Sequence, residues 1–336
     1  MSVKTLQAAP HDTPGAGRTL LARAWRFNRV LTVATFLSLA LIPIALAGLV
    51  VDPQVITGAP AWVKPLKFAI SISVYTITFG WFLSLVQGRQ RWVQLAANVT
   101  GIALIGELVL ITMQVLRGTA SHFNAATAFD GMVFTTMGLL ITLVAFMNLL
   151  LAVWLIFQRM PDPVIAWGLR LGVLGSFLGM VVAFLMTMGP TPLQLEAARA
   201  GAKLTMVGAH SVGVLDGGPG LPFLGWSTEG GDLRVPHFFG LHALQLVPLL
   251  AFLLSRPAAR RRLATGQRTT LVWIGGVGYS ALTGLLTWQA LRAQSIVAPD
   301  ALTWGALGAL GAAIAAGVLV VLLWRQGERP STRTSA

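Results

Sequence analysis

The 336-residue chain contains no cysteine. That absence excludes disulfides, iron–sulfur clusters on Cys ligands and thiolate zinc sites. Charge is the next scarcity. Only 10% of residues are charged, where a soluble domain carries about 25%. Acids are scarcer than bases, with 11 Asp and Glu against 24 Lys and Arg and a formal net charge of +13. Alternating apolar segments of about 10 residues, the mark of an outer-membrane barrel, are also missing. The chain is instead 55% hydrophobic, with a mean hydropathy of +0.74. Apolar runs of about 20 residues recur, which is the signature of membrane-spanning helices.

These runs predict an all-α polytopic bundle of about eight transmembrane helices. The spans expected are 30–51, 68–86, 93–116, 131–157, 164–188, 237–254, 269–291 and 302–324, inside a transmembrane domain of 30–324. Residues 1–29 and 325–336 form basic tails, and 189–236 is one long loop. Within the first tail, 18–28 has the composition of a short surface helix with Trp25 and Phe27 at the headgroups. The first span has a rival reading, because Ala45-Leu46-Ala47 resembles a signal-peptide cleavage site. Apolar residues continuing to Val51 favour a retained span. In the long loop, Thr191–Met206 has helical spacing and is expected to form an interfacial helix.

Eight spans place both termini on one side, and the positive-inside rule makes that side cytoplasmic, N-in and C-in. Sixteen of the 24 basic residues then lie inside, against three acids, Asp12, Asp162 and Glu328. Seven bases face seven acids outside, so the whole excess sits on the cytoplasmic face. Topology and attraction to the lipid bilayer account for it. The placement argues against a nucleic-acid partner.

Polar residues without a topogenic reason gather in the outer connections, where function is expected. The stretch Gly208–Gln245 holds three of the five histidines, His210, His237 and His242, and His122 lies in another outer loop. Four such residues are candidates for a transition metal or haem site: His210, His237 and His242 as metal ligands, with His122 as a fourth. Gln114 and Gln245 join His122 as cofactor-binding candidates. On one helix His237 and His242 stand about 140° apart. His237 must therefore act from a non-helical cap, which Pro236 permits. The alternative is that each histidine caps a helix end or bonds a loop carbonyl, and proton transfer is a third reading.

Glu107 is the costliest residue in the chain, an acid in the third span. Gln114 and Arg117 follow within about 80° of it around the helix, a stripe leading to the outer loop. The functional readings are a proton path, a cation site or an acid beside a cofactor. The structural one is a protonated Glu bonded to Asn148, a Thr or a carbonyl. Glu107, Asp232 and Arg234 are the candidate catalytic or proton-handling residues. Arg170 is expected to snorkel to the inner boundary. The run Asp216-Gly217-Gly218-Pro219-Gly220-Leu221-Pro222 is a series of turns. With Trp226, Asp232 and Arg234 it reads either as a lid or as a compact loop holding an Asp232–Arg234 salt bridge. It lacks the spacing and Lys of a phosphate-binding loop.

Three function classes follow: a His-lined membrane redox or binding site, a proton-coupled transporter using Glu107, and a non-catalytic partner-binding protein. The segments SHFN at 121–124, DGGPGLP at 216–222 and GDLR with HFFGLHALQ at 231–245 resemble a set of bacterial multi-pass membrane proteins without an assigned activity. APAWVKPLKF at 59–68 extends the resemblance. It implies the bacterial cytoplasmic (inner) membrane and carries nothing about mechanism.

Overall fold

A computed structural model of the chain describes residues 16–323. The tail segments 1–15 and 325–336, and the last residue of the 302–324 span, lie outside the described residues. The protein is mostly helical, 72%, and among the described residues eight helices are long and apolar enough to cross a membrane. It is a multi-pass membrane protein. A chain in hydrocarbon must satisfy every backbone N–H and C=O within itself, and helices do so.

The elements run in order as follows. Helix α1 is Ala16–Phe27 and α2 is Arg29–Val51; a two-residue hairpin, β1 Val55–Ile56 with β2 Ala59–Pro60, leads to α3, Val63–Ser84. Then come α4 Gln90–Leu116, α5 Ala128–Phe157, α6 Pro163–Leu185 and the short α7 Pro192–Arg199. Strands β3 Ser211–Val212 and β4 Gly231–Asp232 pair antiparallel before α8 Arg234–Leu254, α9 Pro257–Arg262, α10 Thr265–Leu291 and α11 Ala301–Leu323. Helix α7 covers half of the expected interfacial helix. A capping box between Thr191 and Gln194 starts it, and a turn at Ala200 and Gly201 ends it.

The spans pack as two sets. Helices α2 to α5 contact one another, α6, α8, α10 and α11 form the second set, and α5 against α6 joins them. The tightest packing is α6 on α8. Gly168, Gly172, Gly175 and Gly179 line one face of α6, and each lies against Ala251, Pro248, Ala243 or Gly240 of α8. Small residues let helix backbones approach closely, and that packing, rather than a hydrophobic drive, joins helices in lipid. The contact is so close at Gly179 that a Cβ there would sit 2.5 Å from the Leu241 nitrogen. In the first set α3 presents bulk instead. Phe79, Phe82 and Leu83 are fully buried, packed with Leu151, Leu155 and Leu244.

At one end the four connections fold into a single cap. Ala125 N donates to Thr205 O and Val207 N to Phe123 O, both at 2.8 Å. Lys67 Nζ donates to Leu224 O at 3.0 Å, and Ser295 Oγ to Ser227 O at 3.0 Å. Gly58 and Gly217, both at positive φ, meet backbone to backbone. The opposite end has short turns. There Arg170 donates to Leu155 O and Gln158 O at 2.9 Å each and lies over Trp167, closing the last turn of α5.

Gly179→Ala forces that Cβ onto the backbone of α8 and should cost about 2 kcal/mol or more. Thermal unfolding in detergent is expected to show a clear loss of Tm. Gly308→Ala on α11, where a Cβ meets nothing within 4 Å, should leave Tm unchanged or raised. Equal Tm values for the two variants would refute the packing account.

Candidate functional site

The polar residues beneath the cap come from both helix sets. Helix α3 begins at Val63, with Pro65 in its first turn. Pro is tolerated there because the first N–H groups have no partner within the helix. Lys64 and Lys67, which precede the expected 68–86 span, are thereby carried into the first turns of α3. Glu107 projects from α4 and is fully buried. His122 lies in the turn after α4, with its ring against Phe68, Phe123 and Phe134. Its Nε2 is 3.7 Å from Glu107 Oε1, beyond hydrogen-bond length. Neither Glu107 oxygen has a hydrogen-bond partner. Asn148 does not supply one, since its amide faces Tyr75 Oη and Ser176 Oγ, each at 3.5 Å.

The cap brings His210 close to this pair. Its ring stands edge-on to Phe123 at 4.8 Å, and its Nδ1 donates to Asp216 Oδ2 at 2.7 Å. Asp216 also accepts the backbone N–H groups of His210 and Ser211, at 3.0 and 2.8 Å. Burial pushes the Asp216 carboxyl up, but the His210 ring and those two N–H groups hold it below the usual carboxylate range. Burial lowers the His210 imidazole despite Asp216. Burial, then the charges of Lys64, His210 and His237, keep His122 well below its usual range. Lys64, Glu107, His122, His210 and His237 thus form one electrostatic neighbourhood.

The remaining candidates take separate places. His237 is not in a cap. Helix α8 starts at Arg234, and His237 N bonds Leu233 O at 3.2 Å within the first turns. Its Nδ1 donates to Gly179 O of α6 at 2.8 Å. His242, on another face of the same helix, directs Nδ1 to Gln245 Oε1 at 3.3 Å, and Gln245 reaches Thr78 of α3. Helical geometry separates the two rings as the spacing requires. Among the described residues no group of three or more His, Asp or Glu side chains is placed to hold a metal ion. His210, His237 and His242 are not gathered into one ligand set.

The stripe from Glu107 to Arg117 divides. Gln114 Nε2 and Arg117 donate to Asp130 at 2.9 and 2.6 Å, which ties the end of α4 to the start of α5. Glu107 takes no part. Asp232 and Arg234 pair at 2.5 Å. Asp232 also accepts Ser227 N, and Arg234 reaches Gly225 O, so the pair cross-links the cap. Sequence reasoning missed Lys64 and the Gly179 carbonyl as members of the site. The usable signals were Pro65 for an early helix start and the Gly168–Gly179 spacing for an exposed seam carbonyl.

Compared with protein families, curated proteins and solved structures, the chain finds no match.

Two groups make the cap pH-sensitive in the same direction. Asp216 is depressed in the fold, so its contribution is present above the ordinary carboxylate range and is lost as pH falls through its folded value. His210 is also depressed, so below about 6.5 the unfolded segment takes up a proton that the folded one resists. Hydrogen exchange of residues 208–233, corrected for intrinsic rates, should quicken as pH falls from 7. At pH 7 Asp216→Ala should raise exchange there about tenfold or more, since it frees two buried N–H donors and a ring. Protection equal to the wild type would refute the Asp216 anchor.

Proposed function

We propose that the protein is a proton-coupled transporter of the bacterial cytoplasmic membrane, with both termini inside and the cap outside. In this reading the proton-accepting pair is Glu107 and His122. The supporting observation is Glu107 itself, fully buried, with neither oxygen hydrogen-bonded and His122 Nε2 at 3.7 Å. A buried carboxyl without donors is costly unless it holds a proton or a cation comes to it. That makes it a place where a proton or a cation is exchanged.

His122 suits the role of donor. Its environment disfavours the charged ring, so a proton that reaches it is passed on rather than stored. Shortening 3.7 Å to hydrogen-bond length completes the transfer to Glu107. The pair also sits where the two helix sets meet beneath the cap. His122 and Glu107 come from the first set, while His237 and Gly179 come from the second. Transport sites lie at such junctions, where one half moves against the other. A redox centre on His210, His237 and His242 has less support, because those rings do not converge.

Proteoliposomes loaded with a pH-sensitive dye and given an external acid jump test the reading. Wild-type protein should acidify the lumen faster than empty vesicles. Glu107→Gln should lower the protein-dependent rate about a hundredfold, and His122→Ala should slow it by a smaller factor. Glu196→Gln, on the exposed face of α7, should not change it. A wild-type rate equal to that of empty vesicles, or an undiminished rate in Glu107→Gln, would overturn the proposal.

A further inference from the structure

The end of the bundle opposite the cap carries a feature that the proton site does not use. Helix α1 has an apolar side with Leu20, Leu21, Ala24 and Trp25 and a basic side with Arg23 and Arg26. Leu20, Leu21 and Trp25 are 64%, 47% and 43% exposed. A 12-residue helix is marginal by itself in water, and this one meets the bundle at its last residues, where Phe27 packs on the core beside the junction with α2.

The junction is built firmly. Asn28 caps α2 by accepting Leu31 N at 2.7 Å. Its amide donates to Gln94 Oε1 and Asn98 Oδ1 of α4, at 2.8 Å each. Gln94 Nε2 returns a bond to Phe27 O at 2.8 Å. The exit angle of α1 is thus locked to α4. Around the lock are two adjoining clefts that share Gln94. One, of about 400 Å³, is lined by Trp25, Arg26, Phe27, Asn28 and Arg29. The other, of about 490 Å³, is lined by Gln90, Arg91, Leu95 and Asn98.

Arg26 and Arg29 thus line the first cleft and Arg91 the second, and the two clefts, with Gln94 between them, make up one recess. Among the described residues none of these arginines pairs with a carboxylate. Arg29 lies over the Trp25 ring, and Arg26 Nε is bonded to Ala22 O, which leaves its terminal nitrogens free to donate. The recess adjoins the start of the first span, α2. Trp25, on the apolar side of α1, also lines the first cleft.

We propose that this recess binds the phosphate of an anionic glycerophospholipid, with α1 lying in the headgroup layer and its leucines and Trp25 on the acyl side. Charge selects the ligand, since cationic groups near a membrane surface favour anionic lipid, and guanidinium is the side chain best shaped for phosphate. The apolar side selects a lipid over a soluble anion, because a free phosphate would leave Leu20, Leu21 and Trp25 uncovered.

The test is native mass spectrometry of the full chain in detergent, titrated separately with phosphatidylglycerol, phosphatidylcholine and inorganic phosphate. Phosphatidylglycerol is expected to bind at least about tenfold tighter than phosphatidylcholine. The triple variant Arg26→Gln, Arg29→Gln, Arg91→Gln should erase that preference. The pair Arg261→Gln, Arg262→Gln, basic residues of α9 at the same end, should keep it. The Lys triple at the same three positions guards against misfolding and should retain a preference for the anionic lipid. Equal binding of the two lipids, an equal loss in the α9 pair, a preference that survives the Gln triple, or inorganic phosphate displacing the lipid at millimolar concentration would each overturn the assignment.

Discussion

The contact between Gly179 and Gly240 sets much of the geometry. Two helices come so close there that no side chain fits between them. In lipid such closeness is what joins helices, since burying apolar surface gains little when the solvent is itself apolar. The seam runs from Gly168 to Gly179 through the middle of α6 and fixes α8 in both rotation and height. Its last glycine has a second consequence. Gly179 has no side chain to shield its carbonyl, and His237 of α8 donates to that oxygen at 2.8 Å. The packing that builds the second helix set thus also orients a histidine at its junction with the first. His237 Nδ1 carries the proton because a carbonyl only accepts, and this directs Nε2 the other way.

The first set is built differently, and the contrast explains where polar groups survive. Its α3 contributes large rings and leucines, and these hold the sets apart while filling the space between them. Interfaces of that kind have room for Tyr75, Asn148 and Ser176, whose contacts at 3.5 Å are long. Asn148 Oδ1 and both Glu107 oxygens remain without donors. Among the described residues the other buried polar atoms without a partner, on Thr100, Ser255 and Arg268, lie away from this junction. A seam of backbone contacts fixes one arrangement, whereas a junction of long side chains with unused acceptors tolerates more than one.

The spans were legible because hydrocarbon demands about 20 apolar residues whatever the tertiary fold. Glu107 stood out for the same reason, since an acid in such a run has no topogenic use. The limits of the reading were local. Hydropathy alone begins the second span at Phe68, because Lys64 and Lys67 interrupt the apolar run. The helix nevertheless starts at Val63, since backbone bonding and Pro65 decide a helix start, not side-chain polarity. The same bias placed His237 in a non-helical cap. Pro236 occupies the third position of α8, where a missing N–H costs nothing. Once His237 is helical, its separation from His242 follows from the helical repeat, and a shared metal site loses its geometry. Partners across the bundle could not be read. Asn148 faced Tyr75 and not Glu107 because rotation about each helix axis is set by packing, which the single chain does not display.

The two ends of the bundle treat charge in opposite ways, and this division ties the site to its surroundings. At the cap end, acids and bases neutralise one another within the protein: Arg117 with Asp130, Arg234 with Asp232 and Arg292 with Asp300, while Asp216 is held by the His210 ring and two backbone N–H groups. Each of these pairs also fastens a loop or helix end, so the cap gains rigidity from charges that cancel. Glu107 and Lys64 are left out of that cancellation and lie beneath it. At the other end Arg260 with Asp162 is the one ion pair among the described residues, and most guanidinium groups face outward. Charges that cancel shape a structure without attracting anything, while charges left unpaired must find a partner outside it. The cap end thus pairs its buried charges, apart from Glu107 and Lys64, and leaves surface groups such as Glu196, Arg199, Lys203 and Glu229 unpaired, while the arginine-rich end carries an excess of one sign. The proposed proton site and the proposed lipid recess lie at opposite ends of the same helices, with α4 contributing Glu107 to one and Gln94 to the other.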